Sequence, residues 1–136
     1  MNSRSRACFL SLAVIALLAS GCGGAMIIVK GKVTRGGQPL PLKAKEKIVL
    51  TFHTEDTPAG RFPDYFKGFG GGDGNFEVFG NEGKGIPAGK YRIAVEVNRG
   101  DSDKDRLGGA FSKTESKIVR TVDGKNINID LDRPEG

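Results

Sequence analysis

The chain has few of the residues that most often build catalytic and metal sites. It contains two cysteines, one histidine and no tryptophan. Because Cys8 and Cys22 both lie near the amino terminus, the residues after them can form neither a disulfide nor a thiolate metal site. His53 alone cannot build a His-rich zinc site, and no Gly-x-Ser-x-Gly segment accompanies it. We therefore predict a protein that is not an enzyme and that holds no metal and no cofactor.

The sequence also lacks long apolar runs, and its longest apolar run lies near the amino terminus. It covers residues 7–18, about 12 residues, whereas a membrane-spanning helix needs roughly 20. Arg4 and Arg6 precede it without any acidic residue, and small residues follow it at positions 19–21. A positive start, a short apolar centre and small residues at the cut site are typical of a secretory signal. We predict that residues 1–21 are a signal peptide.

The end of this segment resembles the lipobox of bacterial lipoproteins. It reads Leu18-Ala19-Ser20-Gly21-Cys22, with alanine at position 19 where leucine is commoner in that family. The resemblance implies a cut before Cys22 and acyl chains, palmitate among them, that hold this cysteine to a membrane. The alternative is an ordinary secretory signal cut near Gly21, which would leave a reactive free thiol. Gly23, where some lipoproteins carry a retaining aspartate, favours the outer membrane over the inner membrane.

The exported part of the chain has the length and charge of one ordinary domain. We divide it into a lipidated tether, residues 22–25, and a domain at residues 26–136 with one modest core. The formal net charge is +5, and removal of Arg4 and Arg6 leaves +3. Both signs are interspersed, as on a mixed solvated surface, so no nucleic-acid partner is predicted. A weak attraction to anionic envelope surfaces is compatible with this charge.

Alternating apolar and polar residues predict about seven strands, and no segment has a sustained helical period. The predicted strands are residues 26–33, 46–54, a short piece around 65–66, 75–79, 90–97, 117–122 and 126–131. Pro63 favours an edge or irregular position for the piece around 65–66. Asp123-Gly124 predicts a hairpin between the last two strands.

These strands predict an all-β fold with one face of each strand turned inward. Parallel pairing needs long crossovers, usually helical, so we expect an antiparallel Greek-key β-sandwich. The predicted inward residues are Ile27, Val29, Val33, Ile48, Leu50, Phe52, Phe76, Val78, Tyr91, Ile93, Val95, Val97, Ile127, Ile129 and Leu131.

Three segments together resemble the carboxypeptidase regulatory-like domain, a relative of the transthyretin (prealbumin-like) sandwich. They are Val29-Lys30-Gly31-Lys32-Val33 continuing to Gly37-Gln38-Pro39-Leu40, then Gly74-Asn75-Phe76-Glu77-Val78 with Ile86-Pro87-Ala88-Gly89-Lys90-Tyr91, and finally Asn126-Ile127-Asn128-Ile129-Asp130-Leu131. The resemblance covers nearly all of residues 26–136 and is weakest over 42–69. It implies an accessory domain that supports folding, spacing or binding without chemistry of its own.

Two residues within these segments have predicted structural roles. Gly31 lies in the middle of a strand, where a missing side chain permits a bulge or close packing. Tyr91 follows a Pro-Ala-Gly turn, and we expect its hydroxyl to anchor that corner as in the tyrosine corners of Greek-key sandwiches.

Aromatic residues near a glycine loop are the candidate ligand-binding site: Phe62, Tyr65, Phe66 and Phe69. Flat rings can bind flat apolar faces of sugars or peptides. The competing interpretation is that these rings cap the core.

Two loops invite a ligand-binding interpretation that their residues do not support. Residues 70–74 lack the lysine and hydroxyl residue of a P-loop. Asp101, Asp103 and Asp105 alternate as an EF-hand loop begins, but Arg106 replaces the required glycine and Ser112 the bidentate glutamate. A solvated charged loop is the favoured interpretation.

The function predicted from these features is that of a non-enzymatic, lipid-anchored cell-envelope protein. Its domain would bind an envelope protein partner or serve a structural role. The alternative is a carbohydrate-binding module at the cell surface, which would use the aromatic residues to hold a polysaccharide.

Overall fold

The computed structural model describes residues 24–55, 65–102 and 104–136. The predicted signal peptide, Cys22 and Phe62 lie outside these ranges. Within them the chain forms ten strands: β1 Met26–Ile27, β2 Val29–Arg35, β3 Gln38–Pro39, β4 Glu46–Thr54, β5 Tyr65–Gly70, β6 Asn75–Val78, β7 Ile86–Pro87, β8 Gly89–Arg99, β9 Val119–Val122 and β10 Ile127–Asp130. A single 3-10 turn occupies Asn81–Gly83. No helix in this part of the chain is long and apolar enough to cross a membrane.

Eight of the ten strands form one sheet, which confirms the all-β prediction. Its order is β10-β2-β6-β5-β4-β8-β9, with β3 beside β2, and β1 pairs with β7 as a separate ribbon. The number of strands exceeds the predicted seven because β1, β3 and β7, of two residues each, are too short to show an alternating pattern.

The sheet is largely antiparallel, as predicted, but β2 and β10 pair in parallel. Gly31 lies opposite Ile127, and Thr34 opposite Asp130. The other strand pairs in the described ranges are antiparallel. The prediction assumed that parallel strands would need a long and usually helical connection between them. In this fold the segment that joins the two parallel strands contains the other strands of the sheet.

The predicted hairpin at Asp123-Gly124 was wrong. β9, before the turn, pairs with β8, whereas β10, after it, pairs with β2 at the opposite end of the sheet order. The local chemistry of a turn is present, because Gly124 has a φ of 93° and an Asp123 Oδ1 accepts a hydrogen bond from the Lys125 amide at 3.1 Å. The residues at this turn make the chain bend. Pairing with distant strands then determines that β9 and β10 do not pair with each other.

This short connection requires the sheet to curl. From Val122 to Ile127 the chain takes five steps, which span at most about 18 Å. A flat sheet of this order would separate β9 from β10 by six intervals, roughly 29 Å. Direct contact confirms the curl, because Arg120 of β9 donates a hydrogen bond to the carbonyl oxygen of Pro134, just after β10, at 3.2 Å.

The curled sheet encloses one hydrophobic core that contains the predicted inward residues, with one exception. Ile27 is only partly buried and packs at the margin, because β1 pairs with β7 instead of joining the main sheet. Residues of the core that the prediction did not include are Leu40, Phe66, Ile86, Ile118 and Val122.

Gly31 of β2 lies between Ile127 of β10 and Phe76 of β6. A Cβ atom at this position would stand 2.0 Å from the Ile127 carbonyl oxygen and 2.6 Å from Cζ of Phe76. Both distances are shorter than any non-bonded contact allows. The close packing predicted for this glycine is therefore confirmed.

The predicted tyrosine anchor is present at the entry to β8. The Tyr91 hydroxyl donates a hydrogen bond to the Pro87 carbonyl oxygen at 2.7 Å. The side chain is 1% exposed and its ring meets Phe52 and Phe66 edge-on, with centroids 6.0 and 6.3 Å away. Burial raises the pKa of Tyr91 to about 12, so the hydroxyl keeps its proton at neutral pH.

We expect Gly31→Ala to lower the free energy of unfolding by about 3 kcal/mol or more, because the new methyl group meets a backbone oxygen that cannot move alone. Gly72→Ala is the matched control, since nothing lies within 4 Å of its added Cβ. That control should change stability by less than about 0.5 kcal/mol. Urea unfolding of the two variants measures the difference, and equal midpoints would contradict the close approach.

Tyr91→Phe should lower the free energy of unfolding by about 1 to 3 kcal/mol, because it leaves the buried Pro87 carbonyl oxygen without its donor. Tyr65→Phe removes a hydroxyl from a half-exposed ring and serves as the control. Thermal unfolding of both variants tests the anchor, and an unchanged melting temperature for Tyr91→Phe would rule it out.

Candidate functional site

The side of the sheet that faces away from the core carries the candidate site. We call the solvent-facing surface of β6, β5, β4 and β8 the outer face. Strand register arranges its side chains in rows across the sheet. The three central rows are Glu77–Phe69–Val49–Glu96, Lys67–Thr51–Ala94 and Tyr65–His53–Arg92.

The structure divides the predicted aromatic cluster between the two faces of β5. Tyr65 and Phe69 are 51% and 53% exposed on the outer face. Phe66 is 4% exposed and belongs to the core, so a ligand on the outer face cannot reach it. Alternation along a strand causes this division, because odd and even positions point to opposite sides. Phe62 lies outside the described residues.

β5 is longer and more central than the sequence predicted. It runs through Tyr65–Gly70 and lies between β4 and β6, not at an edge. Its pairing with β6 is limited to two residue pairs, Phe69 with Glu77 and Gly70 with Phe76. The two strands therefore hold together at one end only.

A groove opens on the outer face between two exposed rings. Its volume is about 460 Å³, and Phe69 and Phe79 stand among its lining residues with Lys67 and Glu77. Two smaller hollows of about 280 and 300 Å³ lie across β4 and β8. Lys67 lines all three, so its ammonium group is available to a ligand in any of them. Together these hollows form an open, uneven surface and not one enclosed cavity.

Positive charge on the outer face is only partly neutralised. Lys67 and Lys113 have no carboxylate partner within the described ranges. The Lys47 ammonium lies 4.9 Å from the centre of the Phe69 ring, a cation–π contact that keeps the ring in place. The surface can therefore attract an acidic group while offering an aromatic ring beside it.

The charged side chains of β8 on this face, Arg92 and Glu96, contact neighbouring residues. Arg92 forms a 2.7 Å ion pair with Glu55 and donates a hydrogen bond to the Ser116 carbonyl oxygen at 2.7 Å. Glu96 accepts a hydrogen bond from the Asn98 amide at 3.2 Å. These contacts fix the long side chains along β8, which limits the entropy lost when a ligand binds there.

His53 sits between Tyr65 and Arg92 as an uncharged group. Its ring centroid is 6.1 Å from that of Tyr65, and its buried Nδ1 atom has no hydrogen-bond partner within the described part of the chain. Burial, followed by the positive charge of Lys113, lowers the pKa of His53 below its ordinary value. The imidazole is therefore neutral at pH 7 and adds no charge to the face.

The acidic loop after β8 uses one of its carboxylates for structure. Asp105 accepts hydrogen bonds from the amides of Val97, Leu107 and Gly109, each at 2.9 Å. Asp103 lies outside the described residues. Among the residues that are described, no three His, Cys, Asp or Glu side chains lie close enough to hold a metal ion.

Sequence reasoning missed Lys67, Phe79 and the polar residues of β4 and β8 as members of this surface. A signal for Lys67 was present, because a strand reaching Gly70 would place it between Tyr65 and Phe69 on one face. Phe79 joins the surface because β6 pairs with β5, and no local pattern shows this pairing.

No known protein family, no curated protein and no solved structure matches this chain. Its function is therefore inferred from its own residues and their arrangement.

Proposed function

We propose that this chain is a non-enzymatic, lipid-anchored protein of the bacterial cell envelope whose outer face binds a protein partner. The anchor is supported by the signal pattern of residues 1–21 and the lipobox-like segment that ends at Cys22. In this proposal residues 22–25 are the tether and residues 26–136 the binding domain. The outer membrane is the proposed site of attachment because Gly23 follows the lipidated cysteine.

We also propose that the curled sheet is a Greek-key sandwich of the carboxypeptidase regulatory-like type. Support comes from the tight packing at Gly31, from the Tyr91 hydroxyl on the Pro87 carbonyl, and from the contact of Arg120 with the segment after β10. Such a domain is an accessory module, which agrees with a binding role.

The observation that carries the binding proposal is the pair of half-exposed rings on β5 beside lysines that lack carboxylate partners in the described ranges. Tyr65 and Phe69 are large, rigid side chains, and such residues contribute much of the binding energy at protein interfaces. Lys67 and Lys113 favour a partner that presents acidic residues. Because the face is open, it suits another protein's surface better than a small molecule that needs enclosure.

One observation favours polysaccharide as the second candidate ligand. Tyr65, Lys67 and Phe69 alternate on one strand, which separates the two rings by about 13 Å with a cation between them. Aromatic rings stack on the flat apolar faces of sugars, and the lysine would pair with an acidic sugar.

We expect Cys22→Ala to weaken the attachment of the protein to the membrane, because the thiol that would carry the acyl chains is then missing. Membrane fractionation of the parent and the variant measures the loss of attachment. The intact mass of the parent should exceed that of residues 22–136 by the attached lipid. A parent protein that is found free of membranes, or without added mass, would contradict the anchor.

The outer face is tested by reversing one charge on it. Crosslinking of the full-length lipoprotein in its native envelope, followed by mass spectrometry, should recover a protein partner. Lys67→Glu should reduce that recovery by roughly tenfold, the effect of about 1.4 kcal/mol in binding free energy. Lys125→Glu is the matched control, since Lys125 is an exposed lysine in the turn before β10 and lies outside the outer face.

Each result of this experiment has a definite meaning. Loss of the partner with Lys67→Glu alone supports the proposal. Equal recovery with both variants places the partner elsewhere on the domain. Recovery of polysaccharide alone, reduced by Phe69→Ala, would replace the protein partner with the second candidate ligand.

A further inference from the structure

Large apolar side chains are exposed both on β5 and around the start of β2. Five large hydrophobic residues are substantially exposed in the described ranges, and two of them, Tyr65 and Phe69, lie on β5. The other three are Met26 and Ile28, each 44% exposed, and Phe79, 50% exposed. We call these three residues the apical patch.

Strand pairing brings two members of the apical patch, Ile28 and Phe79, together. β2 pairs with β6 so that Val29 lies opposite Val78, and continuation of this register places Ile28 beside Phe79. Because Val29 and Val78 point into the core, Ile28 and Phe79 point outward. Met26 lies two residues before Ile28.

The backbone behind the patch is firmly held. Met26 and Ile27 form β1, which pairs with β7. The Gly85 amide donates a 2.6 Å hydrogen bond to the Phe79 carbonyl oxygen, and the Ala88 amide donates a 3.0 Å hydrogen bond to the Ala25 carbonyl oxygen. The patch is therefore a fixed surface of the fold.

The position of the lipidated cysteine identifies what covers this patch. Cys22 precedes Met26 by four residues, a distance of at most about 14 Å even when the chain is fully extended. The structured domain begins almost at once, since Ala25 is already hydrogen-bonded to Ala88. Acyl chains on Cys22 would thus hold the apical patch beside the bilayer surface that they enter.

We propose that the apical patch inserts into the interfacial layer of the membrane that holds Cys22 and so fixes the orientation of the domain. This inference rests on the proposed lipid anchor. Apolar side chains on a membrane-bound surface enter the boundary between headgroups and acyl chains to a depth of about 5–10 Å. Ile28 and Phe79 would reach that layer while the backbone behind them stays among the headgroups.

The charges around the patch show which force drives this insertion. Lys30 is paired with Glu77 at 3.1 Å, and Lys84 is paired with Glu82. Each of these two lysines has a carboxylate beside it, so together they add little net positive charge that could attract anionic lipids. Insertion is driven by burial of apolar surface, and it should depend little on lipid charge.

The orientation that results leaves the outer face on β5, β4 and β8 accessible, whereas the end of the groove at Phe79 meets the bilayer. β2 leads away from the patch over seven residues, about 20 Å, to the turn at Gly36 and Gly37. That turn would be the part of β2 most distant from the bilayer. Tyr65 and Lys67 would face sideways, available to a partner that is itself attached to the same membrane.

Fluorescence quenching by lipids brominated on their acyl chains tests this orientation in the full-length lipoprotein. A cysteine introduced by Asn81→Cys, two residues after Phe79 and exposed, carries a fluorophore next to the patch. Gly72→Cys carries the same fluorophore at the other end of β6, where an added side chain meets no atom within 4 Å. Lipidated Cys22 does not react with the label.

Both labelled proteins are reconstituted into phosphatidylcholine vesicles, with and without phosphatidylglycerol, and floated on a density gradient. We expect quenching to be several-fold stronger at position 81 than at position 72, in both lipid mixtures. The double variant Ile28→Ser and Phe79→Ser, combined with Asn81→Cys, should float equally well but lose this excess quenching. Both replaced side chains are exposed, so we expect the double variant to fold like the parent. Thermal unfolding of the double variant checks this.

The outcomes separate this inference from the proposed anchor. Vesicles that float with the protein, but quench both positions equally, would overturn the docking of the patch and leave the lipid anchor intact. Excess quenching that survives the double variant would also overturn it. A protein that does not float with vesicles would overturn the anchor and the docking together.

Discussion

The close approach of β2, β10 and Phe76 at Gly31 is the constraint on which the rest of the architecture depends. With no side chain at this position, the last strand can pair with the first long strand in parallel. That pairing places β9 and β10 at the two ends of one sheet while a short turn keeps them near each other. The sheet must then curl around its apolar side. Its other side, on β6, β5, β4 and β8, is left to solvent and becomes the surface available for binding.

The sequence predicts the faces of the strands well because the alternation of side chains is a local property. Ile48, Leu50 and Phe52 are buried as their spacing predicts, and so are Ile127 and Ile129. Pairing between distant strands is not local, and there the prediction failed. Neither the parallel partner of β10 nor the separation of β9 from β10 is written in the residues around Asp123, which form a turn in any of these arrangements.

The candidate site shows the same division between local and distant information. The predicted group of aromatic residues contained Tyr65 and Phe69, which share the outer face, but also Phe66, which the strand sends into the core. Once β5 is known to extend to Gly70, alternation separates them at once. Phe79 is different, because its neighbour Ile28 comes from another strand. Surfaces that combine residues from strands far apart in sequence can be recognised only when the pairing is known.

The parallel pair of β2 and β10 also governs when the domain can fold. β2 is among the first strands of the domain to be synthesised, and β10 is the last. Contacts between residues so far apart in the chain close a long loop, which makes folding slow and leaves early strands without their partners. Ile127 and Ile129 complete the core, so a chain that has not yet released its final residues cannot bury it. Folding of this domain therefore follows the synthesis of β10 and does not proceed strand by strand as the chain emerges.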